Sequence, residues 1–293
     1  ACVARAVFSR QTAAAVNEKH CTIVLFTTVF YKQKDLPTLN SLWPVSPSAG
    51  VCHVILADVL TAATLKNLKN SEDWVIFVLP FKERSRRISR LAKLNPHPFF
   101  PSATHTIFVD FKLELRLDAA VLIERVLLKR NASFGAFMHP CATVPGYNNT
   151  PQCRHFDRYS ASMPFVLKEM DVVQRHKKTA EPERLDMFRQ DIEKWGEQSP
   201  VHPYIEGAFF VQDQSYFAKE LSCNWQRVYA HGPDRDQFSF PIALALTSNY
   251  SGKVVLMDES EEFKSQGFVH FYHAPTIFKF RGAKCRQGRS CVK

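Results

Sequence analysis

The sequence predicts an α/β domain: a mostly parallel central sheet flanked by helices, in one large unit that carries insertions. Three observations predict it. Short apolar, β-branched runs alternate with helical segments or long crossovers, which is the pattern of a parallel sheet. At 293 residues, 45% of them hydrophobic, the chain is long enough to bury a full core. The run Thr106 to Val109 stops at an acid, Asp110, as a buried strand does at the carboxyl edge where open α/β sheets bind ligands.

Taken in order, Ala1 to His20 reads as a surface leader. Because the chain begins at Ala1, a removed or absent signal or anchor is expected ahead of it. Cys21 to Phe30 is the first strand, Val51 to Asp58 the second and Trp74 to Pro80 the third, with a short helix over Thr61 to Leu68. Lys82 to Lys93 is a charged helix in which Arg87, Arg90 and Lys93, spaced three apart, share one face. After Thr106 to Val109, the alternation from Lys112 to Leu117 reads as a half-exposed strand. Asp118 then caps a helix over Ala119 to Lys129. Ser133 to His139 and Tyr204 to Val211 are further strands. Residues 141–203, lacking the apolar content of a core, read as a variable acceptor-facing insertion placed over the site, helical in pattern from Pro164 to Gly196. Ser215 caps a helix, Asp234 or Asp236 caps the next, and Lys253 to Met257 and Phe268 to His273 close the sheet. The domain therefore spans 21–280, followed by a basic, cysteine-containing tail, 281–293.

A net charge of +10 points to anionic partners, nucleotide phosphates and acidic polysaccharide among them. The basic residues show no RNA-binding or zinc-finger pattern, so a nucleic-acid partner is not expected. Eight cysteines and three sequons, at Asn131, Asn148 and Asn249, favour a lumenal or secreted protein. Cys141 with Cys153 and Cys285 with Cys291 suit local disulfides; the pairing of Cys2, Cys21, Cys52 and Cys223 stays open. No apolar run reaches the roughly 18–20 residues that cross a bilayer.

Asp110 and Lys112, at the end of the fourth strand, suit a diphosphate. The acid would hold a divalent cation and the lysine would pair directly with phosphate. The plainer reading of Asp110 is a turn former, and that of the basic helix a solvated face. At the start of the strand over Tyr204 to Val211, Gly207 permits close approach to the backbone or marks a bulge. Of His270 and His273, on opposite sides of an extended segment, one would face the site.

Several ordered blocks, RRISRLAKLNPHPFFPSA, FVDFKLELRLDAAVLIERVLLKRNASF, EGAFFVQDQSYF, SCNWQRV and RDQFSF, resemble a plant and algal glycosyltransferase-like family. It is named for turgor-regulation-defect and mucilage-related proteins. The resemblance implies a GT-A-like, Rossmann-type domain that uses a UDP- or GDP-sugar, with Mn²⁺ or Mg²⁺ as a possible cofactor. It would act in the Golgi lumen on glycan or glycoprotein acceptors, as a secreted protein or a type II protein whose anchor is absent from this chain. By matching position, Asp110, Lys112, Arg87, Lys93 and His97 fall to the donor diphosphate, joined by Arg90 from the shared helix face; Asp110, and from the strand pattern His270 or His273, are the metal candidates. Asp236 and Glu206 fall to catalysis, and Gly207, Arg235 and Gln237 to the acceptor or to backbone approach. Phe111 stands where the family has Gly, and Lys112 where a second acid would bind a metal. The alternatives are a catalytically silent glycan-binding or scaffold domain of the same fold, and an alkaline ceramidase-type hydrolase.

Overall fold

The computed structural model describes residues 20–29, 48–79, 86–111, 113–115, 117–139, 165–175, 182–196, 204–257 and 278–280. The first half is a run of parallel strands: β1 (Ile23–Val29), β2 (Val51–Ala57), β3 (Val75–Val78) and β4 (His105–Val109). Between them stand α1 (Val59–Lys66) and α2 (Arg86–Leu94). Then come β5 (Leu113–Leu115), α3 (Ala119–Val126) and β6 (Phe134–Met138), followed by α4 (Phe165–Arg175) and α5 (Pro182–Gly196). The chain continues with β7 (Ile205–Asp213), α6 (Tyr216–His231), α7 (Asp236–Ala245), β8 (Val254–Met257) and β9 (Phe278–Phe280).

Seven strands form one sheet in the order β3-β2-β1-β4-β7-β6-β8. It is mostly parallel, as the sequence predicts. One strand, β7, runs antiparallel to both of its neighbours. β9 pairs with β5 in a separate two-stranded sheet, while the expected closing strand over Phe268 to His273 lies outside the described residues.

The core divides by sheet face, because successive strand residues point to opposite sides. Leu25, Ile55, Ile107 and Phe209 meet α1 and α3 through Leu65, Leu122 and Val126. Phe26, Leu56, Phe108 and Phe210 meet α2, α6 and α7 through Leu94, Leu221, Trp225 and Phe240. On this second face, Phe26, Phe108, Phe210 and Phe134 form a row across four strands, with successive ring centroids 5.2–5.6 Å apart. Such contacts fix the register of the sheet beyond what area burial supplies. A disulfide joins Cys21 to Cys52 beside the start of β1 and β2.

Caps set several element boundaries. Asp58 ends β2 and becomes the N-cap of α1, accepting from the Leu60 and Thr61 amides. Asp118 caps α3 in the same way, but the helix stops at Val126 and tightens into a 3₁₀ turn over Leu128–Arg130. The insertion is not merely a polar cover. Val166, Met170 and Val173 of α4 and Leu185, Phe188 and Ile192 of α5 recur at helical spacing, and they bury a small core against Tyr204 and Phe238. Among the described residues no helix is long and apolar enough to cross a membrane.

Candidate functional site

The parallel strands deliver their last residues to one edge of the sheet, and β7, running the other way, delivers its first. Asp110 after β4, His139 after β6, and Tyr204, Glu206 and Gly207 at the start of β7 therefore share that edge. The Asp110 amide donates to the Ala208 carbonyl at 2.8 Å, which ties the two strand ends together.

Opposite Gly207 lies a buried ion cluster. Arg90 and Lys93, one turn apart on α2, both reach the carboxylate of Asp236, the first residue of α7. Arg90 Nε donates to Oδ1 at 3.2 Å, and Lys93 Nζ donates to Oδ2. Side chains on a helix lean toward its N-terminus, so both cations point back to the edge that α2 leaves. Lys93 is 3% exposed, Asp236 5%. Lys93 Nζ also stands 4.9 Å from the centroid of the Phe108 ring, a cation–π contact that completes its desolvated surroundings.

Burial alone would raise the Asp236 carboxyl, but the charges of Lys93 and Arg90 outweigh it and hold the group well below the usual carboxylate range. Arg90 moves up: burial opposes its charge, and Asp236, Tyr229 and Asp110 more than restore it. Asp110 thus belongs to the same electrostatic cluster, and its charge also acts on Lys93.

Gly207 is shaped by this cluster. A Cβ placed on it would lie 3.1 Å from Asp236 Oδ2 and 3.2 Å from both Lys93 Nζ and Gln237 Cγ. The strand comes this close where β6 and β7 slip out of register between Ala136 and Met138. What approaches the Gly207 backbone here is the ion pair itself. Gln237 Nε2 donates to the Ile205 carbonyl at 3.4 Å, pinning α7 to the same strand.

A second group adjoins the first. His139 Nε2 stands 3.9 Å from Glu206 Oε2, and Arg235 Nη1 stands 4.0 Å from Glu169 Oε1 on α4. The His139 ring packs on Phe165 and Tyr204, with centroids 5.0 and 5.5 Å away. The Tyr204 hydroxyl is buried without a hydrogen-bond partner among the described residues. Burial pushes it well up, and the charges of Glu169, Glu206 and Asp236 add to this against the pull of Arg235. The sequence reading passed over His139 and Tyr204. Each lies at an end of a predicted strand, but only the antiparallel course of β7 brings Tyr204 to the edge that His139 and Asp110 occupy.

Three expectations change. Asp236 does not cap α7: Arg235 holds the cap position and makes no side-chain cap bond, while the Asp236 carboxylate is taken up by two cations. A carboxylate held so low is a poor proton acceptor, and both of its oxygens are taken up by Lys93 and Arg90. Arg87 shares the α2 face but parts from Arg90 and Lys93, donating to the Tyr229 and Gly232 carbonyls at 2.9 and 2.6 Å at the end of α6. His97 lies at the opposite edge of the sheet, where its Nδ1 is 2.9 Å from Gln214 Oε1 just past the end of β7. Lys112, His270 and His273 fall outside the described residues.

A divalent ion finds little to hold it among the described residues. Asp110 is a single carboxylate, both oxygens of Asp236 are engaged, and no group of three His, Cys, Asp or Glu residues is arranged as a ligand set. The described residues therefore do not fit a metal site by themselves.

The fold and the clustered charges at its carboxyl edge define an α/β domain of the kind that binds ligands beyond the ends of its parallel strands. Residues 3–273 match the family described as TOD1/MUCI70, glycosyltransferase-like domain. The chain belongs to this family. It is 28% identical over 142 residues to the probable hexosyltransferase MUCI70 of Arabidopsis thaliana, a stretch that is 45% of this chain and 24% of that protein. The match thus spans about a quarter of the relative's length. Among solved structures, mouse xyloside xylosyltransferase 1 is similar at a TM-score of 0.39 and 12% identity, over 85% of this chain and 90% of that one. The mannosyltransferase Ktr4p of S. cerevisiae is similar at a TM-score of 0.43 and 10% identity, over 84% and 76%.

Proposed function

We propose that this domain is a glycosyltransferase that moves a sugar from a nucleoside diphosphate donor to a glycan or glycoprotein acceptor in the secretory pathway. The single observation that carries the reading is the meeting of Asp110, Arg90, Lys93 and Asp236 where β4 ends, in a chain of the TOD1/MUCI70 family. In this reaction an acceptor hydroxyl oxygen forms a bond to the anomeric carbon. The bond from that carbon to the diphosphate breaks, and the diphosphate leaves with the electron pair. Fixed cations that meet this growing charge in a partly dry cleft lower the barrier.

Arg90 is the cation for that role. Its side chain is 25% exposed, whereas that of Lys93 is 3% exposed and locked on Asp236. Asp236, itself anchored by Lys93, holds the guanidinium in place, and Lys112, two residues past Asp110, is a second cation in the sequence. Glu206 is the carboxylate base that takes the acceptor proton, with His139 beside it.

The test is thermal stabilisation of the domain by a panel of UDP- and GDP-sugars, with and without Mn²⁺. One donor class should raise the melting temperature, and Arg90→Ala should weaken its binding about 10- to 100-fold, the worth of a charge-assisted hydrogen bond. Indifference to every nucleotide would leave a silent scaffold as the better reading.

A further inference from the structure

We propose that Asn131 and Asn249 are N-glycosylation sites whose glycans leave the domain at the edge of the sheet opposite the candidate site. Each begins a sequon, Asn131-Ala-Ser and Asn249-Tyr-Ser. Asn131 closes the 3₁₀ turn at Leu128–Arg130 with φ 51°, and Asn249 turns the chain between α7 and β8 with φ 53°. Both are exposed. A left-handed turn explains an asparagine or a glycine at such a position. It does not explain a serine two residues later in both.

Their placement follows from the topology. Ser133, just before β6, donates its backbone N–H to the Lys253 carbonyl at 2.9 Å, just before β8. Phe134 and Val254 are partners in the parallel β6/β8 pair, so the two turns lie side by side at its amino end. His139 stands past the other end of β6, and the five residues of that strand span roughly 16 Å. Glycans at the two turns therefore project away from Asp110, Glu206 and His139 and leave acceptor access free.

The two sequons differ in one physical respect. Ser133 is 5% exposed in the folded domain, whereas Ser251 is exposed. The transferring enzyme must reach the hydroxyl residue as well as the amide, so Asn131 is modified before β6 docks against β8, while Asn249 stays accessible afterwards. In the reaction the Asn carboxamide nitrogen bonds to the anomeric carbon of a lipid-diphosphate-linked oligosaccharide. The carbon–oxygen bond to the diphosphate breaks, the lipid diphosphate leaves with the electron pair, and the amide proton passes to a base of that enzyme.

The experiment is peptide mass mapping of the full chain, directed into a eukaryotic secretory pathway by an added cleavable signal, before and after amide-cleaving glycosidase. The expected result is conversion to Asp at both 131 and 249, with one glycan lost in each of Asn131→Gly and Asn249→Gly. Glycine keeps the left-handed backbone in these variants. An unmodified asparagine at either position in secreted, folded protein overturns the proposal; should a glycine variant fail to be secreted, mapping of the unsubstituted chain decides alone. The proposal rests on the secretory localisation given above, and mapping of protein from its own cells separates the two. Glycans on the directed chain but none on the native protein overturn the localisation and support the sites; glycans on neither overturn the sites.

Discussion

Replacing Asp236 by Asn removes one charge from the buried cluster and little else. The amide is nearly isosteric, and the bonds to the Asp236 backbone carbonyl, from Trp225 Nε1 at 2.9 Å and Ser239 Oγ at 2.8 Å, are untouched by the exchange. What is lost is the counter-charge of Lys93 and Arg90. Removing one partner of a buried pair costs about 3–5 kcal/mol, because the other charge is left stranded. Arg90 is a quarter exposed and can turn to water, so the lower part of that range applies, about 3 kcal/mol. For a domain of this size that is a fall of roughly 6–12 °C in melting temperature. The melt should be run at pH 7 on Asp236→Asn, Lys93→Met and the double variant. Removing both charges leaves only the partly exposed Arg90 without its carboxylate, so the double variant should recover part of the Asp236→Asn loss. The folded carboxyl lies below its unfolded value of about 3.9, so its contribution is complete above that pH and fades as pH falls through the folded value. The gap between the native chain and Asp236→Asn should therefore close in strong acid. If Asp236→Asn melts within about 1 kcal/mol of the native chain and the two substitutions simply add, the cluster is solvent-screened and the reasoning fails.

Three further outcomes follow from particular contacts. Burial lowers His53 to about 4, against the pull of Asp73, so the unfolded chain takes up a proton first as pH falls. Stability should drop by about 2–3 kcal/mol between roughly pH 6.5 and 4; His53→Phe, which keeps an aromatic edge on Trp74, should flatten that part of a pH–melting curve, while His97 and His105 retain a slope of the same sign. Gly207→Ala forces Asp236, Lys93 and Gln237 to give way by a few tenths of an ångström. It should cost about 1–2 kcal/mol in a denaturant titration and weaken donor binding along with it, so a neutral result would show that the bulge absorbs the methyl. Cys21→Ser opens a loop closed across 31 residues, for which chain entropy gives about 3–4 kcal/mol in a denaturant titration without reductant; reductant should cost the native chain at least as much, because Cys223 is disulfide-bonded as well.

Local pattern made much of the fold legible. Continuous apolar runs such as Ile23–Val29 can only be buried on both faces, and a carboxylate directly ahead of a helix, as at Asp118, fixes where the helix starts. Asp110 and Gly207 were singled out because each stands near an end of a predicted strand, and Glu206 through the family resemblance. What local pattern cannot hold is partnership over distance. Arg87, Arg90 and Lys93 look equivalent at their spacing of three, yet two of them find Asp236, some 140 residues on, and the third finds the end of α6. Asp236 read as a cap because it starts a helix; its packing against α2 decided otherwise. The reversal of β7 is likewise silent in a nine-residue strand, whose local pattern reads the same in either direction. His139 and Tyr204 were missed for the same reason, since only that reversal brings them side by side.

The backward course of β7 also bears on how this family can vary. The chain departs the sheet at His139 and re-enters at Tyr204, and the His139 amide donates to the Tyr204 carbonyl at 2.8 Å. Exit and re-entry are thus neighbours, and everything between them is a detour with its feet together. Lengthening such a detour adds only about 0.6 kcal/mol of closure entropy per doubling. Evolution can lengthen or shorten that excursion at small cost, provided that the seam α4 and α5 make with Tyr204 and Phe238 is kept.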